Sequence, residues 1–160
     1  MTRDIAPDVR FEPEFVARLT TLFEELIVFN RTLGLQVSEV APDRASARID
    51  MRPELIGHFT HHRLHGGVIS ATLDALGGLA VMTAIGARHM SETIDARMAR
   101  FGKLGTIDLR VDYLRPGIGT HFTAHAEVMR LGSRVASTRM QFLDAGGRLL
   151  STGAAAYIVS

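Results

Sequence analysis

The sequence of 160 residues contains no cysteine, and this absence excludes disulfides, thiol nucleophiles and cysteine-ligated metal sites. An excess of charge of either sign is also missing. The 18 Lys and Arg residues against 17 Asp and Glu residues leave a formal net charge of +1, so the composition favours neither a nucleic acid nor a membrane surface as a partner. The N-terminal residues, MTRDIAPDVRFEPEF, lack the apolar core of a signal peptide, and we therefore expect a cytoplasmic protein.

The chain does have enough apolar material for one compact domain. Hydrophobic residues make up 46% and charged residues 22% of the sequence, which is typical of a folded globular protein. A length of 160 residues suits a single core. We predict a helical N-terminal extension over residues 1–34 and a main domain, which contains the functional site, over residues 35–160.

One long segment, residues 65–87, carries a single charge after its opening histidine (HGGVISATLDALGGLAVMTAIGA). Such a segment predicts a helix that protein encloses on every side. Asp74 lies in its middle, and a buried carboxylate costs several kcal/mol unless it is paired, hydrogen-bonded or solvated by a cavity. Gly66 and Gly67 leave backbone N–H groups bare at the helix start, where they can bind developing negative charge. Together these features indicate a functional site.

Three simpler interpretations of this segment stay open. Its length and hydrophobicity would suit a transmembrane helix, although Asp74, the Gly77-Gly78 pair and the alternating segments that follow argue against one. Asp74 could serve structure alone, by capping a neighbouring backbone or by pairing with an arginine. Gly66-Gly67 could simply allow a tight turn into the helix.

The rest of the chain shows one helical pattern and several strand patterns. Apolar residues at helical spacing predict an amphipathic helix over residues 13–33, which Gly34 ends. Alternation of polar and apolar residues predicts six strands, over residues 35–40, 45–51, 106–114, 121–130, 134–143 and 148–159. Residues 53–64 are expected to be irregular, and residues 88–104 to form a short helix or a mobile loop.

These elements predict an α+β fold in which an antiparallel β-sheet wraps around a long central helix, with an extra helix at the N-terminus. Short turns join the last four strands, for example Asp144-Ala145-Gly146-Gly147. Consecutive strands joined by short turns favour an antiparallel meander, and we therefore expect these four strands to pair in chain order.

Two motifs carry a resemblance to a known family. HGGVISATLDALGG at residues 65–78, followed by GTIDLRVDYLRPG at residues 105–117, resembles hotdog-fold acyl-CoA thioesterases of the PaaI-like class, and within it the YigI-type medium- and long-chain thioesterases of proteobacteria. The similarity runs from Phe29-Asn30-Arg31 to the end of the sequence. It implies a hotdog domain over residues 35–160 that hydrolyses acyl-CoA to free fatty acid and CoA, with no cofactor, since coenzyme A is part of the substrate.

The resemblance also implies catalytic roles. Asp74 matches the family's catalytic carboxylate, which acts as a nucleophile or as a general base on water. Gly66 or Gly67 would supply the backbone N–H that polarises the thioester carbonyl. Thr106 stands where relatives place a Ser or Thr that helps to position water. His58 stands where relatives commonly carry an Asn, so its role in binding water or the carbonyl is left open.

Helix geometry adds an expectation about assembly. Gly67 and Asp74 are seven positions apart, which is roughly 10 Å along a helix axis. One thioester cannot contact both groups when each must lie about 3 Å from the reacting atoms. A site that uses both therefore needs a second, antiparallel helix from another copy of the chain. We expect a homodimer as the minimum unit, and the resemblance implies a tetramer built from two dimers.

Side chains for binding the substrate are expected at both ends of the site. The CoA end should meet side chains near the strand turns, namely Arg115, Arg130, Ser133 and Arg134, with weaker candidates at Arg88, Arg97, Arg100 and Lys103. Each of these arginines could equally be an ordinary solvated side chain. The acyl end should lie along the apolar helix, near Phe59, Leu76 and Met82. His65 is expected to pack and hydrogen-bond at the start of this helix.

Other functions remain open at this stage. The histidines at positions 58, 61, 62 and 65 lack carboxylates at ligand spacing, so we expect no metal site. A Ser-His-Asp hydrolase would need a GxSxG motif, and Ser70 lies inside the helix with no evident base. The main alternative is a non-catalytic acyl-CoA-binding hotdog domain, which would not require Asp74. A hotdog hydratase is a third possibility and usually needs a His–Asp pair placed differently.

Overall fold

A computed structural model describes residues 9–160 and contains four α-helices and eight strands in that range. The helices are α1 (Pro13–Thr21), α2 (Val28–Leu33), α3 (Gly66–Arg88) and α4 (Ile94–Arg100). The strands are β1 (Leu35–Ala41), β2 (Arg44–Asp50), β3 (Ile56–His58), β4 (Arg63–Leu64), β5 (Gly105–Tyr113), β6 (His121–Leu131), β7 (Val135–Asp144) and β8 (Leu149–Ile158). Residues 1–8 of the predicted N-terminal extension lie outside the described residues, and the domain division at residue 34 stays a prediction.

Six of the strands form one antiparallel sheet in the order β1-β2-β6-β7-β8-β5, and β3 and β4 form a small hairpin. This architecture confirms the expected sheet around a long central helix. The meander in chain order was wrong for β5, which pairs with β8 and not with β6, for example Leu109 opposite Ala155. The connection after β5 contains Pro116 and is long enough to cross to the other side of the β6–β8 strands. Strand β5 therefore becomes an edge of the sheet.

Helix α3 is the core of the fold. Leu73, Leu76 and Leu79 are fully buried, and α3 packs against β2, β6, β7 and β8 of the sheet. A Cβ on Gly77 would lie 2.2 Å from Tyr157 Oη, so only glycine allows the helix and β8 to approach this closely. By length and composition α3 could cross a membrane, but 72% of its most apolar window is buried inside the protein. Its hydrophobicity is accounted for by the fold.

The N-terminal helix is not continuous, contrary to the expectation for residues 13–33. After α1 the chain forms a π-helical turn over Leu22–Leu26, and Ile27 is extended with φ −77° and ψ 93° before α2 begins. The side chain of Asn30 is buried, and its Nδ2 donates to the Phe23 carbonyl at 3.0 Å. This bond satisfies a carbonyl that the break would otherwise leave unpaired. No proline or glycine lies at the break, so the sequence gives no local signal for it.

Arg97, a buried arginine of α4, connects this helix to Glu12 and to α1. The Arg97 side chain is fully buried, lies 4.4 Å over the Phe15 ring and donates to Glu12 at 2.7 Å. That hydrogen bond lowers the pKa of the Glu12 carboxyl. The Phe15 ring in turn packs on Gly86 of α3, where a Cβ would come within 2.5 Å of it. Arg97 was a weaker candidate for binding the substrate, and its burial removes it from that set.

Candidate functional site

Asp74 lines a cavity of about 280 Å³ that lies between α3 and the N-terminal helical segment that contains α2. Its side chain is half-buried. Thr106, the second residue of β5, donates from Oγ1 to Asp74 Oδ1 at 2.8 Å. The second oxygen, Asp74 Oδ2, has no partner among the described residues. A carboxylate held by one hydrogen bond, with its other oxygen available, can act on water or on a carbonyl carbon.

Tyr157 of β8 hydrogen-bonds to the turn of α3 that carries Asp74. Its Oη donates to the main-chain carbonyl of Asp74 at 2.9 Å, and the residue is almost fully buried. Burial first, and then the negative charge of Asp74, raise the pKa of the Tyr157 phenol well above its usual range. The hydroxyl therefore stays protonated and remains a hydrogen-bond donor. Tyr157 was not among the predicted site residues.

The two glycines at the start of α3 differ in what their N–H groups do. The Gly67 N–H donates to Nδ1 of His65, the N-cap residue, at 2.8 Å. The Gly66 N–H has no acceptor within residues 9–160. Tyr113 Oη donates to the Gly66 carbonyl at 2.9 Å and so holds this end of the helix against the end of β5. Of the two N–H groups, the one available to a ligand is that of Gly66.

The helix start and Asp74 face different cavities of the same chain. Gly67 and His65 line a cavity of about 670 Å³, whose other walls include Leu55 and Val68. Asp74 lines the smaller cavity described above. Phe29 borders both of them. Gly66 and Asp74 are eight positions apart on α3, which is about 12 Å along its axis.

His58 and Phe59 lie on the exposed β3–β4 hairpin. The His58 ring stacks on His61 with 4.9 Å between ring centres. Phe59 is 84% exposed and borders none of the cavities described here. Of the three residues predicted near the acyl group, Met82 lines the Asp74 cavity, whereas Leu76 is fully buried in the core. The expected roles of His58 and Phe59 stay predictions.

The basic candidates fall into two groups, side chains that hydrogen-bond or form an ion pair within the chain and side chains that do neither. Arg88 donates to the carbonyls of Leu131, at 2.5 Å, and Gly132, at 3.2 Å, and so fixes the β6–β7 turn. Arg115 donates to the Leu149 carbonyl at 2.9 Å, and Arg100 pairs with Glu92. The remaining three, which are exposed and have no partner within the described part of the chain, are Lys103, Arg130 and Arg134.

Ser133 and Lys103 both line a third cavity. It measures about 780 Å³ and lies between the C-terminal end of α3, α4 and the β6–β7 turn. Arg88 and Arg100 also line it. Its one acidic side chain, Glu92, is paired with Arg100, so the unpaired charge at this cavity is positive. Within residues 9–160 no group of three or more His, Asp or Glu side chains is placed to hold a metal ion.

Several residues of the site have no feature in the sequence that marks them as functional. The residues from the N-terminal helices that line the Asp74 cavity are Phe23, Ile27, Phe29 and Asn30. In the sequence Phe23, Ile27 and Phe29 look like the apolar face of an ordinary amphipathic helix, and Asn30 looks like an ordinary polar residue beside it. Tyr113 stands inside the DYLRPG motif, but nothing in the motif shows that its hydroxyl reaches Gly66.

Comparison with known proteins identifies matches over most of the chain. The family model described as "Thioesterase superfamily" matches residues 61–151. Medium/long-chain acyl-CoA thioesterase YigI of Salmonella typhimurium is 37% identical over 131 residues, which cover 82% of this chain and 84% of that protein. YigI of Escherichia coli K12 is 36% identical over the same shares.

A solved structure agrees with these matches. A crystal structure of a Shewanella oneidensis protein related to the thioesterase superfamily superposes with a TM-score of 0.86 and 37% sequence identity. The alignment covers 94% of this chain and the whole of the other. The similarity therefore includes the central helix, the six-stranded sheet and part of the N-terminal helical region.

Proposed function

Because this chain belongs to the thioesterase superfamily and is a thioester hydrolase, we propose that it hydrolyses medium- and long-chain acyl-CoA to the free fatty acid and CoA. The observation that carries the proposal is Asp74, a carboxylate that opens into an otherwise mostly apolar cavity. A thioester supplies both things this cavity accommodates, an apolar chain and a carbonyl carbon for attack. The similar YigI proteins are named as medium/long-chain acyl-CoA thioesterases.

Two routes for Asp74 fit this arrangement. As a general base, it takes a proton from water while the water oxygen bonds to the thioester carbonyl carbon. As a nucleophile, its own oxygen bonds to that carbon, and water hydrolyses the resulting anhydride in a second step. In both routes the C–S bond breaks and CoA leaves as a thiolate. The proton that neutralises the thiolate comes from the consumed water, through Asp74 in the first route and on hydrolysis of the anhydride in the second. Thr106 orients the carboxylate in either case.

Both routes place negative charge on the thioester oxygen. We assign the Gly66 N–H to that oxygen, because the Gly67 N–H is already bonded to His65. Helix α3 adds the positive end of its dipole at the same place. A single donor of this kind contributes on the order of 3 kcal/mol to transition-state stabilisation.

The proposed site is shared between two chains. One thioester cannot contact both Gly66 and Asp74 of a single helix across about 12 Å. A second copy with an antiparallel α3 would bring its Gly66 to the Asp74 of the first. Strand β5 supports such an assembly, since it is an edge strand whose Ile107 is 57% exposed. We propose a homodimer as the minimum active unit and a tetramer of two dimers as its expected assembly.

We assign the binding of the CoA end of the substrate to the exposed basic side chains that have no partner in the described part of the chain. Arg130, Ser133 and Arg134 lie on or beside the β6–β7 turn, and Lys103 lies at the cavity next to it. Phosphate groups would meet net positive charge there. No cofactor is required for this chemistry. A cytoplasmic location and a part in fatty-acid metabolism remain predictions of the same proposal.

The proposal is tested with purified protein and acyl-CoA substrates from acetyl to palmitoyl, by following thiol release. We expect hydrolysis of the medium and long chains with kcat/KM at least about a hundredfold above that for acetyl-CoA, because each buried methylene contributes roughly 0.8 kcal/mol. Binding of acyl-CoA without release of CoA would instead identify a non-catalytic acyl-CoA-binding domain.

Thr106→Val should lower kcat by about tenfold. Valine keeps the volume and the strand propensity but removes the hydroxyl that holds Asp74 Oδ1. Thr106→Ser keeps that hydroxyl and should retain most of the activity. Equal losses in the two variants would show that the methyl group, and not the hydrogen bond to Asp74, matters at this position.

A further inference from the structure

The cavity beside Asp74 has few polar side chains in its wall. Asp74 and Thr106 are two of them and are hydrogen-bonded to each other. The other two polar side chains of the wall donate to main-chain carbonyls, Asn30 to Phe23 at 3.0 Å and Tyr157 to Asp74 at 2.9 Å. The rest of the lining is apolar and comes from the N-terminal helices, from α3 and from Leu104. An apolar chain that starts at the carboxylate would meet mostly apolar surface, because the polar groups of Asn30 and Tyr157 are already bonded to main-chain carbonyls.

Helix α3 shapes the long wall of this cavity. Ala71, Ala75, Gly78 and Met82 follow each other at intervals of three or four positions and so share one helix face. At Gly78 the missing side chain leaves room, since a Cβ there would lie 3.7 Å from Leu104 Cδ2 in ordinary contact. Met82, which is half-buried, comes one turn later and is the first large side chain on this face.

We propose that this cavity holds the acyl chain and that Met82 closes it, so that Met82 sets the preferred chain length, the one that fits without displacing its side chain. This inference rests on the proposed function. Asp74 and Met82 are eight positions apart, about 12 Å along the axis. An extended alkyl chain advances roughly 1.25 Å per carbon, because its bonds of about 1.5 Å zigzag. The distance therefore accommodates about nine or ten carbons.

The volume of the cavity is compatible with this length. It measures about 280 Å³. This is several times the roughly 30 Å³ share of one water molecule in the liquid, so the cavity has room for a chain of several carbons. Acyl chains of about ten carbons reach from Asp74 to Met82. Longer chains require Met82 to move, which a flexible, unbranched side chain can do at some cost.

The test compares kcat/KM for saturated acyl-CoA substrates of 4 to about 16 carbons in three variants. Met82→Ala removes the end wall, and we expect the preferred length to increase by about two to four carbons and the ratio of kcat/KM for C14 over C10 to rise about tenfold. Gly78→Ala narrows the cavity one turn earlier, and the ratio for C12 over C8 should fall about tenfold. Met98→Ala is the matched control, because Met98 is a half-buried methionine on α4 outside the cavity.

The outcomes separate this inference from the proposed function. Length profiles that stay unchanged in both cavity variants, while acyl-CoA is still hydrolysed, would overturn the role of the cavity and of Met82 but leave the activity standing. Absence of acyl-CoA hydrolysis in the wild type would overturn both. If Met82→Ala fails to fold, Gly78→Ala decides alone, since its Cβ meets only ordinary contacts and alanine is the better helix former.

Discussion

Replacement of Asp74 by asparagine is expected to lower kcat for a medium-chain acyl-CoA by at least about a hundredfold. Asparagine keeps the shape of the side chain and can still accept the Thr106 hydrogen bond. It cannot take a proton from water or attack a carbonyl carbon as a carboxylate does. Asp74→Ala should show the same loss. Thiol release measures kcat, and size-exclusion chromatography and circular dichroism check that assembly and fold are unchanged.

Asp50→Asn is the control for this substitution. Asp50 is an exposed aspartate on β2 whose ion pair with Arg48 lies away from both cavities, and a surface pair of this kind contributes at most about 1 kcal/mol. Its activity should match the wild type. A wild-type rate in Asp74→Asn and Asp74→Ala would remove Asp74 from the mechanism.

Gly66→Pro should lower kcat by about 10²- to 10³-fold, because proline has no N–H to offer the developing oxyanion. The backbone tolerates proline at this place. Gly66 is the first residue of α3, where proline is favoured, and His65 before it has φ −67° and ψ 135°, which suits a residue that precedes proline. The loss is therefore expected in kcat and not in folding.

Gly66→Ala provides the matched control for the missing N–H. It keeps the donor and adds a Cβ that would lie 3.4 Å from Tyr113 Cε1, a tight contact that a half-exposed tyrosine ring can relieve. We expect its kcat to stay within about tenfold of the wild type. If Gly66→Pro and Gly66→Ala lose activity equally, bulk and not the N–H is responsible, and the oxyanion assignment fails.

The central helix and its carboxylate could be predicted from the sequence for a physical reason. A segment that is apolar on every face must be enclosed, so residues 65–87 had to be the core, and Gly66–Arg88 forms it. One charge inside such a segment needs a partner or a cavity, and Asp74 has both. The strand boundaries followed from alternation, as in β6, predicted over 121–130 and found at His121–Leu131.

Other features depend on contacts between distant parts of the chain. The break at Ile27 is supported by the buried Asn30 side chain, and no local residue signals it. The pairing of β5 with β8 depends on how its connection crosses the sheet, which alternation does not encode. The choice between Gly66 and Gly67 depends on the rotamer of His65. Periodicity reports which face of an element is buried, but not which partner covers it.

The measurement that tests the shared site most directly mixes the two inactive variants. Asp74→Ala and Gly66→Pro are combined in equal amounts, and exchange of chains is verified by mass spectrometry of the intact dimers. With random exchange about half of the dimers are mixed, and each mixed dimer has one intact site out of two. The account predicts recovery of about a quarter of wild-type activity. No recovery after verified exchange would contradict it, because a site contained in one chain stays broken in every mixture.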